Sequence, residues 1–241
     1  GVLGSLEILF ASRDRYRTLP HLPAALGEHV RTNSEAIVAI RGQPGVDISQ
    51  STTISSHFHA DAQTHITQNR FPRSYNFMRL YMGPLVDDTR PLRRAAKVVG
   101  ALLRRPWHWL GHWFTADWYR RISVLTVMQQ ADNQLAFGYR RRAWRLGAFA
   151  LESRLSVGAA SPTYLPQANR AARAFAEASG GEALNVLPES LGNRAVTAHL
   201  LGGAVIAGSP AEGVVDARHQ VFGHPGLYVI DGSSIPANVG V

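Results

Sequence analysis

Thr197-Ala-His-Leu-Leu-Gly-Gly203 and Gly226-Leu-Tyr-Val-Ile-Asp-Gly232 are the most informative stretches of this sequence. In the first stretch, His199 stands shortly before a pair of glycines. In the second, an apolar run with the pattern of a strand ends in Asp231-Gly232. Because glycine lacks a Cβ, the backbone at such positions can approach a flat ligand closely. We therefore expect a ligand site in the last part of the chain.

The first residues of the chain form a second motif. The stretch from Gly1 to Arg13 predicts a helix, because its apolar residues recur on one face, namely Leu3, Leu6, Leu9 and Phe10. Gly1 and Gly4 stand at its start, where glycines can leave backbone amides open to a phosphate group. This helix is a second candidate element of a ligand site.

The middle of the chain alternates between strand and helix patterns. Strands are predicted at 36–40, 122–128, 183–187 and 227–230, a hairpin at 51–69 with its turn near Asp61, and extended structure at 134–156. Helices are predicted at 90–105 and at 165–178, the second ended by Gly180. The fold class is therefore α+β or α/β.

Composition and charge narrow the possible functions. The chain has 241 residues, a net charge of +8 and no cysteine, so disulfides and thiolate metal sites are excluded. The segment 36–195 contains 20 of the 25 basic residues and 10 of the 17 acidic ones. No sequence motif of DNA or RNA binding accompanies this charge, so we predict no nucleic-acid partner. The sequence does not define the compartment; the cytoplasm or a membrane surface fits it.

A histidine-rich segment offers one alternative function. His57-Phe-His59-Ala-Asp61 has the opening of the His-x-His-x-Asp-His array of binuclear metallohydrolases, although Ala62 replaces the closing histidine. On a strand His57 and His59 share a face, and His65 lies across the hairpin, so three imidazoles could converge on a metal. The favoured interpretation is a polar strand face without a metal, and a metal-dependent hydrolase is the alternative.

A segment rich in tryptophan and arginine offers a second alternative. Trp107, Trp109 and Trp113 directly follow the basic helix predicted at 90–105. Tryptophan favours the membrane interface and arginine favours anionic head groups, so this segment could contact a membrane surface. The alternatives are a peripheral membrane or lipid-binding module without catalysis, and aromatic side chains that pack in the core.

The two terminal motifs together resemble the glucose-methanol-choline (GMC) flavin oxidoreductases, in particular their cholesterol-oxidase-like branch. Thr18-Leu-Pro20, Thr32-Asn-Ser34 and the strand from Ile122 to Gln129 are also similar to that family. The resemblance implies an FAD cofactor bound near Gly1, Gly4, Asp231 and Gly232. It also implies that His199 is the active-site base and that the substrate is a bulky apolar alcohol, such as a sterol.

The resemblance also implies a domain organisation. Residues 1–35 and 196–241 correspond to a remnant of a Rossmann-like FAD-binding domain, and residues 36–195 to a substrate domain with a mostly antiparallel sheet and flanking helices. The chain has no Gly-x-Gly-x-x-Gly turn after a strand, and it ends where the family continues with Asn-Pro, whose asparagine is its second polar catalytic group. We therefore expect these 241 residues alone neither to bind FAD tightly nor to be active.

Overall fold

The computed structural model describes residues 1–130, 133–143, 146–158 and 161–238, and the chain divides into two compact units. The terminal unit comprises Gly1–Asn33, Ala131–Ser161 and Ala198–Val241, and the central unit comprises Ser34–Gln130 and Pro162–Thr197. Residues 131–161 thus lie in the terminal unit, although the predicted substrate domain included them. The functional roles assigned to the two predicted domains stay a prediction.

The structure combines helices with antiparallel sheet, as the sequence predicted. The strands are β1 (Arg31–Thr32), β2 (Ala36–Arg41), β3 (Ile54–Asp61), β4 (Thr64–Asn69), β5 (Met82–Pro84), β6 (Ile122–Gln129), β7 (Asn133–Arg142), β8 (Ala148–Gly158), β9 (Glu182–Val186) and β10 (Leu200–Leu201). The α-helices are α1 (Val2–Phe10), α2 (Pro91–Arg104), α3 (Pro106–Phe114), α4 (Trp118–Arg121), α5 (Pro166–Ser179) and α6 (Leu187–Ser190). A π-helical turn (Ala11–Arg15) and two 3₁₀ segments (Arg73–Tyr81 and Gly232–Ser234) complete the elements of the described residues.

A six-stranded antiparallel sheet, in the order β3-β4-β6-β2-β9-β5, forms the centre of the central unit. Its middle strands β2 and β6 are almost entirely buried, because their apolar residues face a core on each side of the sheet. Helix α5 covers one side with Ala168, Ala172 and Ala176, and Trp109 and Trp118 pack on the other. The predicted strands at 36–40, 122–128 and 183–187 and the hairpin at 51–69 are confirmed.

Helix α5 begins and ends where its sequence predicted. Pro166 stands in its first turn, where a missing amide hydrogen is harmless, and Gly180 follows with φ of 61°. This left-handed conformation lets the amide of Gly181 donate to Ala176 O at 2.8 Å, so the helix cannot continue. The small alanines allow α5 to lie close to β2.

The terminal unit is built around α1, the short β1–β10 ribbon and the β7–β8 hairpin. Helix α1 buries Val2, Leu6, Leu9 and Phe10, whereas Leu3 is 47% exposed. The predicted helix is confirmed, but Leu3 does not share the buried face with Leu6, Leu9 and Phe10, because that face passes through Val2 with the spacing i, i+4 and i+7. The hairpin confirms the extended structure predicted at 134–156.

The strand predicted at 227–230 is wrong. Within the described residues this stretch forms only an isolated bridge between Gln220 and Tyr228. Residues 219–221 pair with 227–229 through two backbone hydrogen bonds, Val221 N to Leu227 O at 2.8 Å and Val229 N to His219 O at 3.0 Å, and the positive φ of His219 ends the extended partner there. Asp231-Gly232 therefore follows a loop and begins a 3₁₀ turn, instead of ending a strand.

Candidate functional site

The start of α1 and the Asp231 turn lie against each other, although they are more than 200 residues apart in sequence. Asp231 Oδ2 accepts a hydrogen bond from Ser5 Oγ at 2.5 Å and lies 3.6 Å from Gly1 N. Its Oδ1 accepts from the amide of Ser233 at 2.8 Å and so caps the 3₁₀ turn. A Cβ built on Gly232 would lie 3.4 Å from Val2 Cγ2. The structure thus brings together the four residues predicted to bind cofactor.

Asp231 carries a negative charge at this junction. Partial burial raises its pKa, but the hydrogen bonds from Ser233 and Ser5 together outweigh burial, and the pKa lies below the ordinary value for aspartate. The carboxylate is therefore ionised at neutral pH. It lies near the first turn of α1, where the helix dipole favours negative charge.

The glycine pair after β10 is required by the packing of the protein against itself. Gly202 has φ of 85°, and a Cβ on it would lie 2.1 Å from His29 O. A Cβ on Gly203 would lie 2.7 Å from Leu6 Cδ1. The amide of Gly202 donates to Gly232 O at 2.9 Å, so the pair also joins β10 to the Asp231 turn. These glycines therefore allow the close approach of three segments of the terminal unit.

His199 directly precedes β10 and has an exposed side chain. Strand β10 pairs with β1, where Leu200 lies opposite Thr32. Thr32 is fixed on two further sides, since its amide donates to Asn133 Oδ1 at 3.0 Å and its carbonyl accepts from Asn238 Nδ2 at 3.1 Å. The backbone next to His199 is thus held in a defined place, and a neutral imidazole there could accept a proton.

The start of α1 and the Asp231 turn leave open space and an acceptor for a ligand. Cβ atoms built on Gly1 and Gly4 would meet nothing within 4 Å, so the start of α1 is open on that side. The ionised Asp231 has three acceptor contacts, from Ser5 and Ser233, and a carboxylate has about four acceptor sites. A remaining site suits a hydroxyl donor such as a ribityl group, whereas a phosphate would be repelled. These residues would hold the sugar-alcohol chain of FAD.

The predicted histidine cluster lies in the central unit. The rings of His57, His59 and His65 pack edge-on, with centroids 4.9, 5.3 and 6.0 Å apart. No group of three or more histidine, aspartate or glutamate side chains in the described residues is arranged to hold a metal ion. Asp61 accepts from the amide of Gln63 at 3.0 Å and so stabilises the turn of the hairpin. The cluster is consistent with a polar strand face, and the hydrolase alternative is not favoured.

A buried polar cluster in the central unit was not predicted from the sequence. Glu189, Glu35 and Arg94 are 3%, 4% and 2% exposed. Glu189 Oε1 accepts from the amide of Ile37 at 3.2 Å, and Arg94 Nη2 donates to Glu189 O at 3.2 Å and to Asn193 Oδ1 at 2.9 Å. Burial raises the pKa of Glu189 to about 8, Glu35 adds to this, and the Ile37 amide and Arg94 oppose it. The only sequence signal was Arg94, which stands four residues before the buried Val98.

Comparison with known proteins identifies the family. A family model described as GMC oxidoreductase matches residues 86–241, which include His199 and Asp231. The chain belongs to the GMC oxidoreductase family. The predicted membership of this family is thereby confirmed.

The relatives of this GMC chain include cholesterol oxidases. Two from Mycobacterium tuberculosis strains, CDC 1551 / Oshkosh and ATCC 25618 / H37Rv, are each 35% identical over 248 residues, and one from Acinetobacter baumannii is 34% identical over 242 residues. These alignments cover 99–100% of this chain but only 42% of each relative. The GMC chain thus spans about two fifths of the length of the curated relatives it matches.

The GMC chain contains no candidate membrane-spanning helix among its described residues.

Proposed function

We propose that the protein acts in the FAD-dependent oxidation of a bulky apolar alcohol, such as a sterol, to a ketone or aldehyde. The observation that carries this proposal is the meeting of α1, the Asp231 turn and the β10 ribbon within one compact unit of a GMC chain. The relatives named cholesterol oxidase support an oxidoreductase and favour a sterol-like substrate. His199 is the proposed base.

The proposal assigns a role to each part of the chain. Residues 1–35 and 196–241 are a remnant of a Rossmann-like FAD-binding domain, in which Gly1, Gly4, Asp231 and Gly232 contact FAD. Residues 36–195 are the substrate domain. The main grip on FAD comes from a further unit of the kind that the longer relatives have room for, and the 241 residues alone are inactive.

The proposed chemistry requires a proton acceptor. Oxidation of a secondary alcohol removes the hydroxyl proton and a hydride from the carbinol carbon, and bound FAD would supply the acceptor for that hydride. In its neutral form His199 takes the hydroxyl proton while the carbonyl forms. An apolar substrate would also exclude water from the developing carbonyl.

The role of His199 is tested by His199→Gln in the full-length, flavin-loaded protein, which includes the further FAD-binding unit. We expect the rate of anaerobic flavin bleaching by cholesterol to fall by about 10²–10⁴, the usual contribution of a general base. Flavin content stays constant, because His199 is exposed and its replacement leaves no cavity. His21→Gln, an exposed histidine of the same unit, is the matched control and keeps the full rate. An unchanged rate in His199→Gln would refute the assignment of the base.

We further propose that a membrane surface is a partner of the protein, as the source of its water-insoluble substrate. The support is the row of exposed apolar side chains on α2 and α3, which includes Leu103, Trp107 and Phe114 at 74%, 82% and 78% exposure.

A further inference from the structure

Helices α2 and α3 present their apolar residues outward. Helix α2 buries Arg94 and Val98, and its opposite side exposes Leu92, Val99 and Leu103. Helix α3 continues this pattern with three residues at helical spacing. The α2–α3 surface consists of Leu92, Ala96, Val99, Leu103, Trp107, Leu110 and Phe114. An exposed apolar patch of this extent is typical of an interaction site.

Basic side chains flank the α2–α3 surface. Arg93, Lys97, Arg104 and Arg105 are exposed and stand next to its apolar residues in sequence. Of these, Lys97 is paired with Asp88 at 3.1 Å. An apolar helix face with arginine and lysine along its edges is the pattern of helices that lie in the interface of an anionic membrane. The charge therefore favours a lipid surface as the occupant.

A basic pocket adjoins the start of α3. It has a volume of about 360 Å³ and is lined by three arginines, Arg41, Arg105 and Arg121, together with His108 and Glu182. Two of its lining residues, Arg105 and His108, stand directly before and after Pro106-Trp107 of the α2–α3 surface. The pocket and the apolar surface are therefore connected through the first turn of α3.

The pocket retains positive charge after its internal pairing. Glu182 is the only carboxylate among the lining residues, and it is shared between Arg41 Nη2 and His108 Nε2, the latter at 2.8 Å. Arg121 donates through Nε and Nη2 to Gly42 O, which carries no charge, at 3.1 and 2.9 Å. Three guanidinium groups thus face one carboxylate.

The buried His112 preserves the charge of the pocket. Its Nδ1 lies 2.9 Å from Arg41 Nη1. Burial and, next, the charge of Arg41 lower the pKa of His112 to about 4, so the ring is neutral at neutral pH. It can accept the hydrogen bond of Arg41 without neutralising the guanidinium, and this fixes Arg41 at the pocket wall.

We propose that this pocket binds the phosphate of an anionic phospholipid head group while the α2–α3 surface lies in the membrane interface. Guanidinium groups match phosphate oxygens with paired hydrogen bonds, and two uncompensated positive charges attract such a group. The inference rests on the membrane contact proposed above and is independent of the redox chemistry. Apolar side chains alone would contact charged and uncharged lipid surfaces alike. The pocket would add selectivity for a negatively charged head group.

Vesicle flotation of the intact protein tests the site. The vesicles contain either phosphatidylcholine alone or phosphatidylcholine with phosphatidylglycerol. Arg105→Gln removes an exposed pocket charge, Trp107→Ser removes an apolar anchor, and Arg170→Gln, an exposed arginine of α5 outside the pocket, is the charge-matched control. We expect Arg105→Gln to weaken binding to the anionic vesicles about fivefold, the usual effect of one basic residue at such a surface. Arg170→Gln binds as the wild type does.

The outcomes separate the pocket from the membrane contact. Equal binding of wild type and Arg105→Gln to anionic vesicles, or no preference for them over phosphatidylcholine, would overturn the head-group site. In that case a loss of binding in Trp107→Ser still supports the membrane contact. Inorganic phosphate that binds by calorimetry as tightly as the vesicles do would instead indicate a site for a free anion. A dimer in solution that Trp107→Ser dissociates would show that a second copy covers the surface.

Discussion

Glu189→Gln should remove the contribution of Glu189 to the pH dependence of the stability of the protein. Glu189 is 3% exposed, and its pKa is raised to about 8 from an ordinary 4.5. Between these two values the folded chain keeps a proton that the unfolded chain has lost. Stability therefore falls as pH rises from about 4.5 to about 8. Glutamine remains neutral and can still accept from the amide of Ile37, so it removes this slope.

The change in the free energy of unfolding follows from the size of the pKa shift of Glu189. One pKa unit corresponds to about 1.4 kcal/mol. For Glu189 the free energy of unfolding then falls by about 3 kcal/mol between pH 4.5 and 7, and by nearly 5 kcal/mol above pH 8. His112 acts in the opposite direction, because its pKa is lowered from 6.5 to about 4, and stability rises by about 3 kcal/mol between these values. The two effects nearly cancel between pH 4.5 and 6.5.

Urea unfolding of wild type and Glu189→Gln across pH 4.5 to 8.5 measures the effect. Fluorescence is a suitable probe, because Trp109 and Trp118 are buried in the central unit with Glu189. The difference in unfolding free energy between variant and wild type should grow by about 3 kcal/mol from pH 4.5 to 7. Glu7→Gln, which removes an exposed carboxylate of α1, should show no such growth. A constant difference for Glu189→Gln would mean that Arg94 keeps Glu189 ionised, and would refute the reasoning.

Two further predictions concern glycines of the terminal unit. Gly202→Ala should lower the free energy of unfolding by about 3 kcal/mol or more, measured by thermal unfolding, since its Cβ would lie 2.1 Å from His29 O. Gly226 has the same φ of 85° but nothing within 4 Å of its Cβ, so Gly226→Ala should lower this free energy by only about 1 kcal/mol. Equal losses would mean that backbone strain alone makes Gly202 necessary. Gly4→Leu should leave the melting temperature unchanged or slightly raised, because nothing lies within 4 Å of its Cβ, yet it should lower the flavin bound per polypeptide if α1 faces FAD. Full flavin content in Gly4→Leu would contradict that placement.

Local sequence patterns predicted most elements of the central unit. Runs of β-branched and apolar residues fix β2 and β6, and the alanine stripe with its terminal Gly180 fixes α5. These signals succeed because each depends on a few neighbouring residues and on burial against a sheet. The strand predicted at 227–230 failed for the complementary reason. A strand needs a partner of several residues, and here only residues 219–221 pair with 227–229, because the positive φ of His219 ends the partner.

The face that α2 buries shows a second limit of prediction from sequence patterns. Its apolar residues recur with helical period, which correctly predicts the helix, and the usual expectation is that they face the core. The structure buries Arg94 instead, because Thr163, Asn193 and backbone carbonyls accept its donors at 2.9 to 3.2 Å. Three of these acceptors lie 69 to 99 residues away in sequence, and the fourth, Asp88 O, lies in the loop before α2. A prediction from a short window of sequence around Arg94 therefore cannot include the distant acceptors.

The site was predicted from family resemblance, and the structure shows which of its glycines have open space beside them. A glycine supports ligand binding only where the protein itself does not need the missing side chain. Gly202 and Gly203 fail this criterion, because His29 and Leu6 occupy the space a Cβ would take. Gly1 and Gly4 meet it, since no protein atom lies within 4 Å of their Cβ positions. If FAD binds this unit, the open space for it lies at the start of α1, where Ser5 joins Asp231, and not at the glycine pair that follows His199.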